Sequence, residues 1–258
     1  MPIPLFDDPA YLPLVPQLLE PDEEFAAMRP VDATTVAAVC RHGYLPMSPG
    51  ADGPEVVLVK CHRERAVLDP RRVHVPRNVP RYARGLSVVI DRDPTGVLRD
   101  IQRYHTDSWL SPALSAAFLH WVGGADGFRV LSIEVYDGAG TRVASELGYL
   151  VGSVYTSLSG AHFRNGAGWV QMVAWARILA DGGCAMWDLG MDIEYKRRLG
   201  ARLLPRQEFL GQYSTAAGLS CPDLPVSGRW QSAGTLVDAA RAAERAEKRA
   251  APRTTGDV

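Results

Sequence analysis

The chain has 258 residues, of which 47% are hydrophobic and 22% charged, a composition that excludes wholesale disorder and allows a substantial core without metal or disulfide staples. A formal net charge of -1 excludes global attraction to nucleic acid, so any anion-binding surface has to be local. No apolar run nears the roughly 20 residues of a membrane-spanning helix, and Cys40, Cys61, Cys184 and Cys221 lie too far apart for a CxxC pair, which predicts a cytoplasmic protein with reduced thiols and no membrane partner.

From Met1 to Pro30 proline and acid predict an extended lead-in, with one short amphipathic piece around Val15–Leu19. Asp32 caps a helix that Gly43 ends. Val56–Lys60 and Ala66–Leu68 read as the strands of a hairpin, and Leu86–Asp91 as a further strand. Between Cys61 and Gly85 stand seven arginines against two acids, Glu64 and Asp69. Such a run is either a phosphate-facing surface or an ordinary solvated one. Helices follow over Pro94–Tyr104 and Ser111–Val122, the second with Pro112 in the favoured first turn.

The second half changes grammar. Phe128–Tyr136 and Arg142–Thr156 form a hairpin about Asp137-Gly138-Ala139-Gly140. A helix over Trp169–Ala180 is stopped by Gly182-Gly183; Ala185–Leu189 is a strand, Ile193–Leu199 a helix, and Arg206–Tyr213 the last strand. This order is α+β. Ala239–Ala251 is rich in alanine, arginine and glutamate, and reads as a solvated tail with no face to bury, or one that meets RNA or a partner. The domain reading is 1–92, an N-terminal α+β unit with the basic segment; 93–220, the larger unit; and 221–258, a partly disordered extension.

Seven short segments occur in a telling order: Arg41-His42-Gly43-Tyr44-Leu45-Pro46-Met47, Arg65-Ala66-Val67-Leu68, His74-Val75-Pro76-Arg77, Ser108-Trp109-Leu110-Ser111-Pro112, Ala185-Met186-Trp187-Asp188, Leu199-Gly200-Ala201 and Pro205-Arg206-Gln207-Glu208-Phe209-Leu210. Together they resemble the signatures of the leucyl/phenylalanyl-tRNA–protein transferases. The resemblance implies an α+β protein with a GNAT-like C-terminal domain and a smaller N-terminal one. It also implies an aminoacyl-tRNA co-substrate, with no metal and no coenzyme A, and transfer of the aminoacyl group to an amine. An aminoacyl ester is already activated, so the site need only orient the amine, take its proton and hold the oxyanion.

By the same resemblance Asp188 handles the attacking amine, although a carboxylate there also suits a helix cap. Trp109 stacks near the terminal adenosine or packs the core. Arg77, Arg81 and Arg84 meet tRNA phosphates. Two departures stand out: Gly190 occupies the place of a family glutamine, and the run Tyr155-Thr156-Ser157-Leu158-Ser159-Gly160-Ala161-His162 lacks the family glutamate. Tyr155, Ser157 and Gly190 therefore mark the substrate-binding region. Strand alternation puts Glu146 on a nearly bare face with Ala144, Gly148 and Gly152. There it can read a polar group, act as general base, or pair with an arginine. These departures predict a small-molecule or short-peptide amine acceptor and a donor other than Leu or Phe. Three other readings remain open: the family's classical leucyl/phenylalanyl transfer to the N-terminus of proteins, with Glu146 reading the basic acceptor residue from a shifted position; an acetyl-coenzyme A enzyme, since Phe163-Arg164-Asn165-Gly166-Ala167-Gly168 comes near a Gln/Arg-x-x-Gly-x-Gly/Ala pyrophosphate loop; and a non-catalytic tRNA- or peptide-binding relative.

Overall fold

The computed structural model describes residues 3–50, 53–105 and 109–250. The N-terminal part holds β1 (Leu5–Phe6), α1 (Val15–Leu18), β2 (Phe25–Met28), α2 (Ala33–Arg41), β3 (Leu45–Met47) and β4 (Val57–Lys60). The Asp32 carboxylate accepts from Thr35 N at 2.7 Å and starts α2 as its sequence predicts. Then come β5 (Glu64–Leu68), α3 (Val79–Tyr82), β6 (Ser87–Ile90), α4 (Pro94–Tyr104), α5 (Pro112–His120) and β7 (Phe128–Tyr136). The chain continues through β8 (Arg142–Val151), β9 (Val154–His162), α6 (Ala167–Asp181), β10 (Met186–Gly190) and α7 (Glu194–Arg198). It closes with β11 (Arg202–Pro205), α8 (Arg206–Ala217), β12 (Gln231–Ser232) and α9 (Ala233–Ala250).

The strands form two sheets, one ordered β1-β2-β4-β3 and a larger one ordered β11-β5-β10-β9-β8-β7-β6-β12. The result is the expected α+β architecture. The break between sheets lies between Lys60 and Glu64, so β5 and β6, from the first 90 residues, flank β10, β9, β8 and β7. Apolar side chains cover both faces of the large sheet. One layer joins Leu147, Tyr149 and Val151 to α2, α4, α5 and α8. The other joins Leu131, Ile133, Leu150, Tyr155 and Trp187 to α6 and α9.

Four sequence expectations are corrected. The proposed hairpin of residues 56–68 is split: β4 pairs β2 and β3, while β5 pairs β10 and β11. Residues 142–156 are not one strand. Gly152, with φ +51, turns the chain into β9, and a side chain there would strike the Ala217 backbone, so glycine is needed both for φ and for contact. The segment beginning at Arg206 is a helix, because Phe209, Tyr213 and Ala216 repeat at helical spacing and are buried. The alanine-rich tail does bury a face: Ala233, Val237 and Ala240 lie against the α6 layer, and Glu244 accepts from Val75 N at 3.2 Å and meets His74 Nδ1 at 2.7 Å. Small residues let the two helices approach, which a count of large apolar residues misses. The disorder expected at the far end falls on 251–258, outside the described residues.

Candidate active site

β9 and β10 run parallel, pairing Val154 with Met186, Tyr155 with Trp187 and Thr156 with Asp188. That ladder ends there. β9 runs on to His162 beside β8, and β10 to Gly190 beside β5. The two strands fork, and polar side chains gather at the fork on both faces of the sheet.

On the α6 face, Glu146 of β8 is 3% exposed. Its Oε1 accepts from Tyr155 Oη at 2.9 Å and from Ser157 Oγ at 2.6 Å, and its Oε2 from Gln171 Nε2 at 2.9 Å. Trp187 Nε1 in turn donates to Ser157 Oγ at 2.9 Å. All the hydrogen-bond partners of Glu146 are neutral. Burial therefore prevails and pushes the carboxyl above its usual range, against the pull of those hydrogen bonds and of the more distant Lys196 charge. Ser157, half-buried at the fork, gives its one proton to Glu146 and one lone pair to Trp187. A second lone pair is left for a ligand donor.

The opposite face carries Asp188, which is fully buried. Its Oδ1 accepts from Arg65 Nε at 3.0 Å and Gly190 N at 2.9 Å. Its Oδ2 accepts from Arg65 Nη2 and, at 3.1 Å, from Thr156 Oγ1. Arg65 is 1% exposed and lies 4.6 Å from the centre of the Phe209 ring. Burial opposes its charge, but the Asp188 carboxylate outweighs that and holds the guanidinium pKa above its usual value.

Lys196 of α7 sits at the end of β10. Its Nζ donates to Leu189 O and, at 3.0 Å, to Met191 O. Burial pushes its pKa down to about 8, and the nearby Asp188 and Glu146 carboxylates only partly resist.

The fork thus brings together four of the residues predicted from sequence, Asp188, Glu146, Ser157 and Gly190. Tyr155 reaches it only from within the core, where its ring packs edge-on against Trp175 at 5.0 Å. The bare face expected beside Glu146 is corrected: the Tyr155 hydroxyl fills the space over Gly148, where a Cβ would collide with it. Trp109 is half-buried and packs edge-on to Phe118 at 6.4 Å; with Leu45 and Leu158 it lines the Asp188-side layer. The family-type departure at Gly190 leaves a φ of +78, with Leu45 Cδ1 3.8 Å and Lys196 Nζ 4.0 Å from where a Cβ would stand.

The arginine run divides by partner. Arg65 is buried on Asp188, Arg71 pairs with Asp69, and Arg72 with Glu247 at 3.0 Å. Arg77, Arg81 and Arg84 are exposed and, among the described residues, have no ion pair. Arg77 lines a groove of about 400 Å³ with His74, Asn78, Tyr82, Trp169 and Arg198. A second groove of about 440 Å³ runs along Glu24, Lys60, His62, Arg63, Met191 and Asp192.

Sequence reasoning missed Arg65, Thr156, Gln171 and Lys196 as site residues. Arg65 stands inside one of the seven segments, so a signal exists. Nothing separates Lys196 from its neighbours Arg197 and Arg198, which are exposed.

Among the described residues no helix is long and apolar enough to cross a membrane, and no group of three or more His, Cys, Asp or Glu side chains is placed to hold a metal. The family model described as leucyl/phenylalanyl-tRNA protein transferase matches residues 67–214. A leucyl/phenylalanyl-tRNA–protein transferase of Jannaschia sp. is 32% identical over 69% of this chain and 82% of its own length. One of Rubrobacter xylanophilus is 30% identical over 69% of this chain and 91% of its own. One of Anaeromyxobacter sp. is 27% identical over 90% and 94%.

Proposed function

Because the chain belongs to the leucyl/phenylalanyl-tRNA–protein transferase family, and is thereby an aminoacyltransferase, we propose that it moves an apolar aminoacyl group from charged tRNA to the α-amine of a peptide or protein. The observation that carries this reading is the fork between β9 and β10, with the Ser157–Glu146 couple at its root. Strands that part leave main-chain groups for an extended peptide to pair with, and the peptide's amine then arrives beside Ser157.

In this scheme the amine nitrogen donates to the open lone pair of Ser157 Oγ as it attacks the ester carbonyl. Ser157 passes a proton to Glu146, whose raised pKa suits a proton acceptor. The C–O bond to the ribose then breaks, its electron pair goes to the ribose oxygen, and that oxygen takes the proton. Asp188, with both oxygens doubly engaged, acts by fixing Arg65, Thr156 and the Gly190 turn instead of meeting the amine. Trp109, Leu45 and Leu158 offer apolar surface to the donor end, and Arg77, Arg81 and Arg84 offer unpaired charge to tRNA phosphates. A charged tRNA as donor implies the cytoplasm, and the ester itself supplies the activation, so no cofactor is needed.

The small-molecule acceptor rests on the two lost family residues together with a carboxylate free beside an open face, and the altered donor on that carboxylate alone. Tyr155 and Gln171 occupy that face, which removes the argument for the altered donor and leaves the small acceptor on the two losses alone. Against coenzyme A, the Tyr82 ring lies on Gly166 at the start of α6, where a pyrophosphate would have to approach the backbone.

The test is to offer the protein leucyl-, phenylalanyl- and arginyl-tRNA, each labelled in the amino acid. The acceptors are peptides beginning with Arg, Lys or Ala, their N-acetylated forms, and a panel of small amines. Label from leucyl- or phenylalanyl-tRNA should enter free-amine peptides only. Preferential labelling of small amines would overturn the acceptor, and transfer from arginyl-tRNA alone would overturn the donor.

A further inference from the structure

We propose that the Lys196 ammonium is the electrophilic group of the site, donating a hydrogen bond to the carbonyl oxygen of the aminoacyl ester as it becomes an oxyanion. This deepens the transfer reading and rests on it. Lys196 is 7% exposed, and its Nζ spends two N–H donors on Leu189 O and Met191 O, the carbonyls on either side of Gly190. An ammonium has three donors. Among the described residues no carboxylate lies within 4 Å of it, so its charge is held by carbonyl dipoles and by Asp188 and Glu146 at longer range. A buried cation without a counter-ion is costly unless an anion arrives to meet it.

The place of that charge suits the reaction. Gly190 has no side chain, and the ammonium stands 4.0 Å, and Leu45 Cδ1 3.8 Å, from where its Cβ would be at the end of the fork. A residue with a longer side chain at 190 would occupy that ground; glycine opens it to a ligand. The backbone turn that holds both carbonyls is fixed by Gly190 N donating to Asp188 at 2.9 Å, so the cation is positioned before substrate binds. During transfer the amine nitrogen bonds to the ester carbon and the carbonyl π pair moves onto oxygen, opposite Lys196. The pair returns as the ribose C–O bond breaks. The ammonium keeps its proton throughout, while the amine's proton reaches the ribose oxygen through Ser157 and Glu146.

The titratable groups around Lys196 are Asp188 on β10, Glu146 on β8, Arg65 on β5, Asp192 just after β10 and, just before β5, His62, which burial and the surrounding cations keep neutral. Tyr195, on the same helix, lies with its ring 5.8 Å from the ammonium. With a pKa near 8, the ammonium loses its proton in mildly alkaline solution, and the rate should fall there.

The experiment is single-turnover transfer from leucyl-tRNA to a free-amine peptide by wild type, Lys196→Met and Lys196→Arg, between pH 6 and pH 10, with tRNA binding measured alongside. Lys196→Met should lose about 10²–10³-fold in rate with tRNA affinity unchanged. Lys196→Arg should recover part of the rate and lose the alkaline fall, because its charge persists. If Lys196→Met fails to fold, the Lys196→Arg profile decides alone. Transfer by Lys196→Met within threefold of wild type, or an unchanged alkaline fall in Lys196→Arg, overturns the assignment while leaving the transfer reading intact. Absence of transfer by wild type from any charged tRNA overturns both.

Discussion

Two buried carboxylates stand on opposite faces of one sheet at the same fork, and their surroundings differ in kind. Asp188 meets a guanidinium, a hydroxyl and a backbone N–H, so each oxygen is satisfied and its charge is cancelled at contact distance. Glu146 meets a phenol, a serine and an amide, with no cation in contact. The first arrangement locks a turn; the second keeps a proton within reach. Residue type is common to both, and the partner chemistry assigns the work.

The sharpest way to break this contrast is to strip Asp188 of its cation. Arg65→Met leaves a fully buried carboxylate with only Thr156 and Gly190 N, and should cost about 3–5 kcal/mol of folding stability, read from the urea midpoint. Arg65→Met within about 1 kcal/mol of wild type would mean that the pair is far less committed than its geometry says.

Glu146 should behave in the opposite way. Glu146→Gln keeps the shape of the protonated carboxyl, and a turned Gln171 amide can still pair with it, so stability should match wild type at acid pH and be no lower at neutral pH. Transfer should fall by about 10²-fold or more, since the proton acceptor is gone. The pH dependence follows from the raised pKa. In the folded protein Glu146 binds its proton more tightly than at its ordinary value near 4.5. The stability it contributes is therefore full below that value and is lost as pH rises through the folded pKa. Glu146→Gln should remove this fall, and denaturant midpoints of the two proteins from pH 4 to pH 8 will show it. Parallel curves would place the proton elsewhere.

How much of this is legible in the sequence depends on range. Helices at Asp32, Pro94 and Pro112 announce themselves by local caps, and the hairpin of β7 and β8 by its Asp-Gly turn. Asp188 and Gly190 come from local strings compared with family signatures. What the sequence hides is non-local. Arg65 and Asp188 are 123 residues apart, and no periodicity foretells that β5 leaves its neighbour β4 for the larger sheet. The run of small residues beside Glu146 is plain in the sequence, but the ring that fills the space comes from β9, beyond a two-residue turn that alternation conceals.

The mildest test concerns arginine and repeats the same lesson at the surface. Arg65 and Arg77 belong to one run, yet one is sealed under Phe209 against a carboxylate and the other lies open on a groove with Trp169 and Arg198. Arg77→Ala combined with Arg81→Ala removes two exposed cations that hold no ion pair among the described residues, so folding stability should change by no more than about 0.5 kcal/mol. If these side chains meet phosphates, tRNA affinity should weaken and the slope of log K against log salt should become shallower by about 0.7–0.9 for each phosphate that is no longer neutralised. The rate of transfer from saturating charged tRNA should not change, because neither arginine reaches the fork. A salt slope equal to that of wild type would move the tRNA to another surface, and the groove along Lys60, His62 and Arg63 would be the next to examine.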